Sequence, residues 1–415
     1  MNSSKKGKYM SKTNFLRTTM AGSALLLVLG AWQGGAQSPS SLRQTSYVLG
    51  QSLPDLNDDQ IRIFDLGLKS FSKTEVRADG LGPVFNGTAC AECHKAGAVG
   101  GAGMDISIAR VSRIGGYRNG KYSDLPELGG PVIQARSLKE FDTYCPIEGE
   151  VVPREADFVS RRITTPLFGA GLIEAIPAET ILAASKKRDQ DGVQGVANIV
   201  FNPETSLNEV GRFGWKAQHS SLHVFAGDAY LNEMGITSIG FPTENLPQGR
   251  RIPAGWDSVA DPEDQDGDTE TFSAFMRFLA PPGRRLPITP QVQSGERLFE
   301  SIRCVACHTP EMKTGKNDVA ALSEKPVRLF SDLLLHRMGT RLADGIQQEK
   351  AQGDQFKTAP LWGLSRRLFF LHDGRAKSIE EAIANHEGES QRARDRYLNL
   401  RPSERDALLS FLKSL

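Results

Sequence analysis

The chain has five cysteines, and four of them fall in two matching patterns, Cys90-Ala-Glu-Cys93-His94 and Cys304-Val-Ala-Cys307-His308. Each is a Cys-x-x-Cys-His box, the attachment signature of a c-type haem. Two thiols can add across the two vinyl groups of one porphyrin, and the adjacent histidine is then held beneath the iron as its proximal ligand. A lone Cys-x-x-Cys also reads as a redox dithiol or half of a zinc site. Two complete boxes about 210 residues apart make two zinc knuckles or two disulfides the poorer reading, and two covalently bound haem c groups the better one. Cys145 is left without a partner in the chain and reads as a buried, inert thiol.

The N-terminus agrees with this chemistry. Lys5, Lys6, Lys8, Lys12 and Arg17 precede an apolar run from Met20 to Trp32, and Gly34-Gly35-Ala36 offers the small residues a signal peptidase reads. Residues 1–36 are therefore expected to be an export signal, with mature protein in a bacterial periplasm and no stable membrane span after cleavage. Covalent haem is attached after export, so signal and boxes support each other. Fifty basic residues against forty-nine acidic ones give a net charge of +1, which supplies no case for a nucleic-acid partner.

The elements that must position the boxes form a repeated module. Thr289-Pro290 is a helix start, and Val292, Gly295, Phe299 and Ile302 recur on one face leading into Cys304. Ser403 and Asp406 resemble a capping box ahead of Leu408, Phe411, Leu412 and Leu415, a terminal helix able to cross the first. Phe64, Gly67, Leu68 and Phe71 give the first box a similar lead-in. The expected fold is mainly α, with two cytochrome c-like haem domains. These are an N-terminal domain over 45–285, enlarged by insertions, and a C-terminal one over 286–415.

Longer motifs make the chain resemble the bacterial di-haem cytochrome c peroxidase superfamily, in its di-haem thiol oxidoreductase branch. They are Gly82-Pro83-Val84-Phe85-Asn86, Thr164-Thr165-Pro166-Leu167-Phe168-Gly169 and Arg212-Phe213-Gly214-Trp215-Lys216-Ala217 in the first half. In the second half they are Phe330-Ser331-Asp332-Leu333-Leu334-Leu335-His336, Thr358-Ala359-Pro360-Leu361-Trp362-Gly363-Leu364 and Phe370-Leu371-His372-Asp373-Gly374-Arg375-Ala376, followed by the helix start Ser378-Ile379-Glu380-Glu381. The resemblance implies a division of labour. The N-terminal haem would have an openable distal side for peroxide or oxygen. The C-terminal haem would be six-coordinate and pass on electrons received from a small redox donor protein. A di-haem electron carrier without substrate chemistry is the alternative.

The distal residues are the open question. In the peroxidases a carboxylate near the first haem assists O–O cleavage, and the corresponding segment here runs from Trp215 through Met234. It offers His219 and His223, one helical turn apart if helical, with Glu233 as the fallback carboxylate. His223 is the favoured acid/base or closing ligand. At the second haem, Gln355 stands where relatives carry a methionine ligand, so Met338 is favoured as distal ligand and His336 competes. The tryptophan that relatives place between the haems is missing from its usual stretch, which holds Tyr117 and Tyr122. Trp215 and Trp362 read as core. Asp189-Gln190-Asp191-Gly192 and Asp264-Gln265-Asp266-Gly267-Asp268 have calcium-loop spacing without a complete EF-hand, so calcium stands as a candidate ligand against a helix-capping loop.

Overall fold

Two pairs of crossing helices frame the molecule. The helix Asp58–Phe71 starts at a capping box, where the Asn57 side chain accepts from the Gln60 amide at 2.9 Å and the Gln60 side chain accepts from the Asn57 amide at 3.0 Å. It buries Phe64, Gly67 and Phe71 against the helix Asp268–Phe278, with Phe64 and Phe275 rings 5.3 Å apart. The second pair repeats the design. The helix Pro290–Ser301, capped by Thr289 as its sequence predicts, crosses the terminal helix Pro402–Ser414, and Phe299 packs 5.4 Å from Phe411. Both crossings need a glycine. A Cβ at Gly67 would lie 2.4 Å from the Thr271 carbonyl oxygen, and one at Gly295 would lie 2.0 Å from that of Ala407. The terminal helix does not use Ser403 and Asp406 as its cap. Pro402 opens it, and Glu404 accepts from the Arg401 amide at 2.9 Å.

The computed structural model describes residues 48–284 and 287–415, and the segment read as an export signal, 1–36, lies outside them. Helix makes up 32% of the chain and strand 14%. Helix leads, but the composition is more mixed than a mainly α reading anticipates, because the first half carries a four-stranded sheet. Its central strand, Arg110–Arg118, pairs antiparallel with Phe158–Ile163 in a register from Arg110 opposite Ile163 to Gly115 opposite Phe158. Two shorter strands, Lys121–Ser123 and Val132–Ile133, pair with the same central strand. A hairpin in the second half sets Leu335–Arg337 against Gln355–Lys357, with His336 opposite Phe356.

The apolar core has two main clusters. One holds the first helix pair together with Met312, Leu322, Leu329 and Leu334, so chain that follows the second box packs into the first half's core. The other joins Val292, Phe299, Phe330, Leu408 and Phe411 around the second pair. Among the described residues, no helix is long and apolar enough to cross a membrane.

Candidate functional site

Cys90–Cys93 is a single helical turn whose last amide, that of His94, donates to the Cys90 carbonyl at 3.1 Å. The turn turns both thiols and the imidazole toward one cavity of about 180 Å³. Burial pushes both thiols up, Cys93 to about 12, which is the opposite of what a reactive dithiol or zinc thiolate needs. Burial lowers His94 to about 4, so its ring is neutral and its lone pair available. The carbonyls of Gly101 and Thr165 lie near the ring, but neither completes a hydrogen bond to Nδ1.

Another wall comes from the helix Leu222–Met234, capped by Ser221, whose hydroxyl accepts from the Val224 amide at 3.1 Å. Ala226 and Ala229 keep that wall low, while Asp228, Tyr230 and Glu233 bring polar groups to it. Met234 and Met276 reach the same cavity from the apolar core. Glu233 is pushed up to about 7 by burial and accepts from Asn86 Nδ2 at 3.1 Å. Burial also raises Asp228, but His219, 3.1 Å away through Nε2, outweighs it and holds this carboxyl below its usual range. Arg113 faces the cavity from the sheet, with its buried Nε lacking a partner.

His223 is not on this wall. It sits in the helix's first turn, hydrogen-bonded to Glu204 and 3.8 Å from Glu270, with its side chain 35% exposed. His219 is not its helical neighbour either. The helix begins only after Ser221, and His219 is held in a bridge with Phe213. Of the distal candidates in the sequence, the cavity receives Glu233. Asp228 and Arg113 were not singled out there.

The second box is a tighter turn, Cys304–Ala306, with the His308 amide donating to the Cys304 carbonyl at 2.9 Å. Cys304, Cys307 and His308 line a separate cavity of about 210 Å³. His308 is lowered to about 4 by burial, and its Nδ1–H donates to the Phe330 carbonyl at 2.9 Å. Met338 lines this cavity. Gln355 does not, since its Oε1 accepts from the Gln352 amide at 3.0 Å. His336 reaches the wall but has no free nitrogen: Nδ1 donates to Glu389 and Nε2 to Asp332, each at 2.9 Å. Burial opposes its charge, yet Asp332, the adjacent Cys307 sulfur and Glu389 together raise it to about 12. An imidazolium with both nitrogens protonated cannot ligate iron, which removes His336 as a distal ligand. His386 also lines the cavity, unanticipated by the sequence reading.

The second cavity fits a haem in one further respect. A haem brings two carboxylates, and this cavity holds cations with no acidic side chain to pair them. Burial lowers Lys357 to about 8 and Arg367 to about 10, and neither has an acidic partner among the described residues. Arg367 donates to the Pro360 carbonyl at 2.6 Å while its Nε stays unpartnered. In the first cavity, Arg113 has an unpartnered Nε, but its charge also acts on Asp124, Asp228 and Glu233 nearby.

Ile163, Thr164 and Trp215 line both cavities and so form a shared wall. Trp215 Nε1 donates to the Ile163 carbonyl at 2.8 Å, and its ring meets His372 edge-on at 6.5 Å. His372 in turn stacks on Phe356 at 4.3 Å. Trp362, Tyr117 and Tyr122 line neither cavity. The calcium-like loops spend their carboxylates elsewhere. Asp189 holds Arg303 at 3.0 Å, Asp191 pairs with Arg396, and Asp264 accepts from the Asp268 and Thr269 amides at a helix start. Cys145 is buried, its thiol 3.9 Å from the Ile147 carbonyl.

Among known proteins, the model of a family described as "Di-haem oxidoreductase, putative peroxidase" matches residues 149–415, a span that holds the second box. No curated protein matches the chain. Solved structures with some likeness include hydrazine synthase of Kuenenia stuttgartiensis, at 14% identity and a TM-score of 0.40, over 98% of this chain and 100% of that one. A MauG-like protein associated with microbial copper homeostasis gives 16% identity and a TM-score of 0.40, over 88% of this chain and 93% of that one. A diheme peroxidase of Burkholderia thailandensis gives 16% and 0.40, over 85% and 86%. Likeness at that level does not fix a shared fold.

Proposed function

The chain belongs to the di-haem oxidoreductase and peroxidase family, and from that membership we propose that it is an exported, periplasmic peroxidase-type enzyme with one covalent haem c on each box. The lobes 45–285 and 286–415 divide the work: a small redox protein supplies electrons at the second haem, and peroxide or oxygen is reduced at the first. The observation that carries this reading is the pairing of each Cys-x-x-Cys-His box with a cavity of its own, the two cavities meeting at Trp215.

A haem bound in each cavity supplies one-electron redox chemistry and, where its iron is open, a seat for peroxide. The chain's own residues do the rest. Glu233, buried and poised near neutrality, suits taking a proton at one carboxylate oxygen and returning it. Asp228 stays charged beside His219 and orients donors in the same space. Arg113 offers a cation where negative charge gathers. His94 and His308, both neutral, present nitrogens to the irons. An electron crossing from the second cavity to the first meets Trp215 at the shared wall. The carboxylates beside the first cavity favour an enzyme over a pure electron carrier.

The test is peroxide turnover by purified holoprotein with a reduced electron-donor dye. Peroxide consumption that depends on the first box supports the reading. Two haems that cycle between oxidation states without consuming peroxide or oxygen would return it to a carrier.

A further inference from the structure

We propose that His386 is the second axial ligand of the iron held by the second box, giving that haem two histidines. This rests on the two-haem reading above. His386 lines the same cavity as Cys304, Cys307 and His308. Its Nδ1 lies 2.7 Å from the Ala382 carbonyl oxygen. A carbonyl can only accept, so Nδ1 carries the proton and Nε2 keeps a bare lone pair. The proximal ring is arranged the same way, with His308 Nδ1 on the Phe330 carbonyl at 2.9 Å. Two imidazoles on one cavity, each anchored through Nδ1–H to a backbone oxygen, have the tautomer and support that metal-ligating histidines use.

The competing groups are weaker. His336 has both nitrogens committed to carboxylates. His372 is stacked on Phe356 and edged by Trp215 at the wall toward the first cavity. Met338 lines the cavity, but only its backbone is anchored, through its amide to the Asp354 carbonyl at 2.9 Å.

The segment bearing His386 is fastened at both ends. Ser378 caps the preceding helix, its hydroxyl accepting from the Glu381 amide at 3.1 Å. After His386, Glu387 pairs with Arg341 at 3.0 Å and Glu389 accepts from His336. His336 is thus a positioning residue: its imidazolium ties the segment carrying His386 to the hairpin that carries Met338. Nitrogen ligation on both faces would hold that haem low-spin and at a lower potential than a thioether would.

Electron paramagnetic resonance and near-infrared spectra of the full-length, oxidised holoprotein test this, after a pyridine haemochrome assay has counted the haems. With two haems present, the wild type should lack a methionine–iron charge-transfer band. His386→Ala should turn one low-spin signal high-spin, and added imidazole should restore it. His386→Met should create the missing band and raise that haem's potential, while Met338→Ala should leave the spectrum unchanged. A wild-type methionine band lost in Met338→Ala, or a low-spin signal that survives His386→Ala without imidazole, would overturn the ligand while leaving the two-haem reading intact. A count of one haem or none would sink that reading, and this proposal with it.

Discussion

His94 and His308 stand at the ends of like turns, each beside two half-buried cysteines, and each is held neutral by burial. They differ in what supports and what faces them. His308 donates from Nδ1 to Phe330, whereas His94 completes no such bond. His94 shares its cavity with small alanines, Glu233 and Asp228; His308 shares its cavity with His386 and Met338. The same attachment chemistry is thus set against one wall suited to handling protons and another suited to closing an iron. On the proposed two-haem reading, the cysteine box would hold the haem and the rest of the cavity lining would set what that haem can do.

Breaking one attachment should have the largest effect. Cys304→Ala is expected to remove only the second haem and Cys90→Ala only the first, counted as haem per chain by pyridine haemochrome; losing both in either variant would mean the lobes do not load independently.

Glu233→Gln should come next, lowering peroxide turnover about 10²–10⁴-fold with haem content unchanged. Burial raises Glu233 to about 7, so it is mostly protonated below that pH and mostly charged above it. If it acts as the base, wild-type turnover should climb as pH rises toward 7 and level off beyond, and the glutamine variant should lose this break. His223→Ala, on a half-buried ring paired with Glu204 and outside the first cavity, should leave turnover nearly unaltered. A profile that keeps its break in Glu233→Gln would move the role to Asp228.

The two helix crossings can also be compared for stability. Gly295→Ala, at the second crossing, should destabilise the protein by about 1–3 kcal/mol, read as a lower midpoint of denaturant unfolding. Gly67→Ala should cost somewhat less at the first, since its added carbon would meet a carbonyl at 2.4 Å instead of 2.0 Å. Smallest of all, Ser378→Ala should cost about 1 kcal/mol through the lost cap. Its mark should fall on the second haem's spectrum alone, because that helix leads to His386.

The parts legible in the sequence are those governed by local spacing. Both boxes, both lead-in helices and the Thr289 and Ser378 caps are short-range patterns that local spacing alone makes visible. What faces the boxes is not local. Glu233 lies well over a hundred residues from Cys90, and no periodicity told it apart from His223 in the same helix, since that helix is buried around most of its circumference. Arg113 reaches the first cavity from a sheet whose longest strand, Arg110–Arg118, mixes arginine, glycine and apolar residues too irregularly to read as alternation. Trp215 read as core because only the meeting of two cavities gives it another role. His386 was hidden by its place just beyond a short helix, where its tautomer depends on a single carbonyl.

The contrast between an open first iron and a closed second one is tested most directly by electron paramagnetic resonance of the fully oxidised holoprotein. One high-spin and one low-spin ferric signal in equal amounts is the predicted result; two low-spin signals, with no high-spin iron at any pH near neutrality, would contradict it.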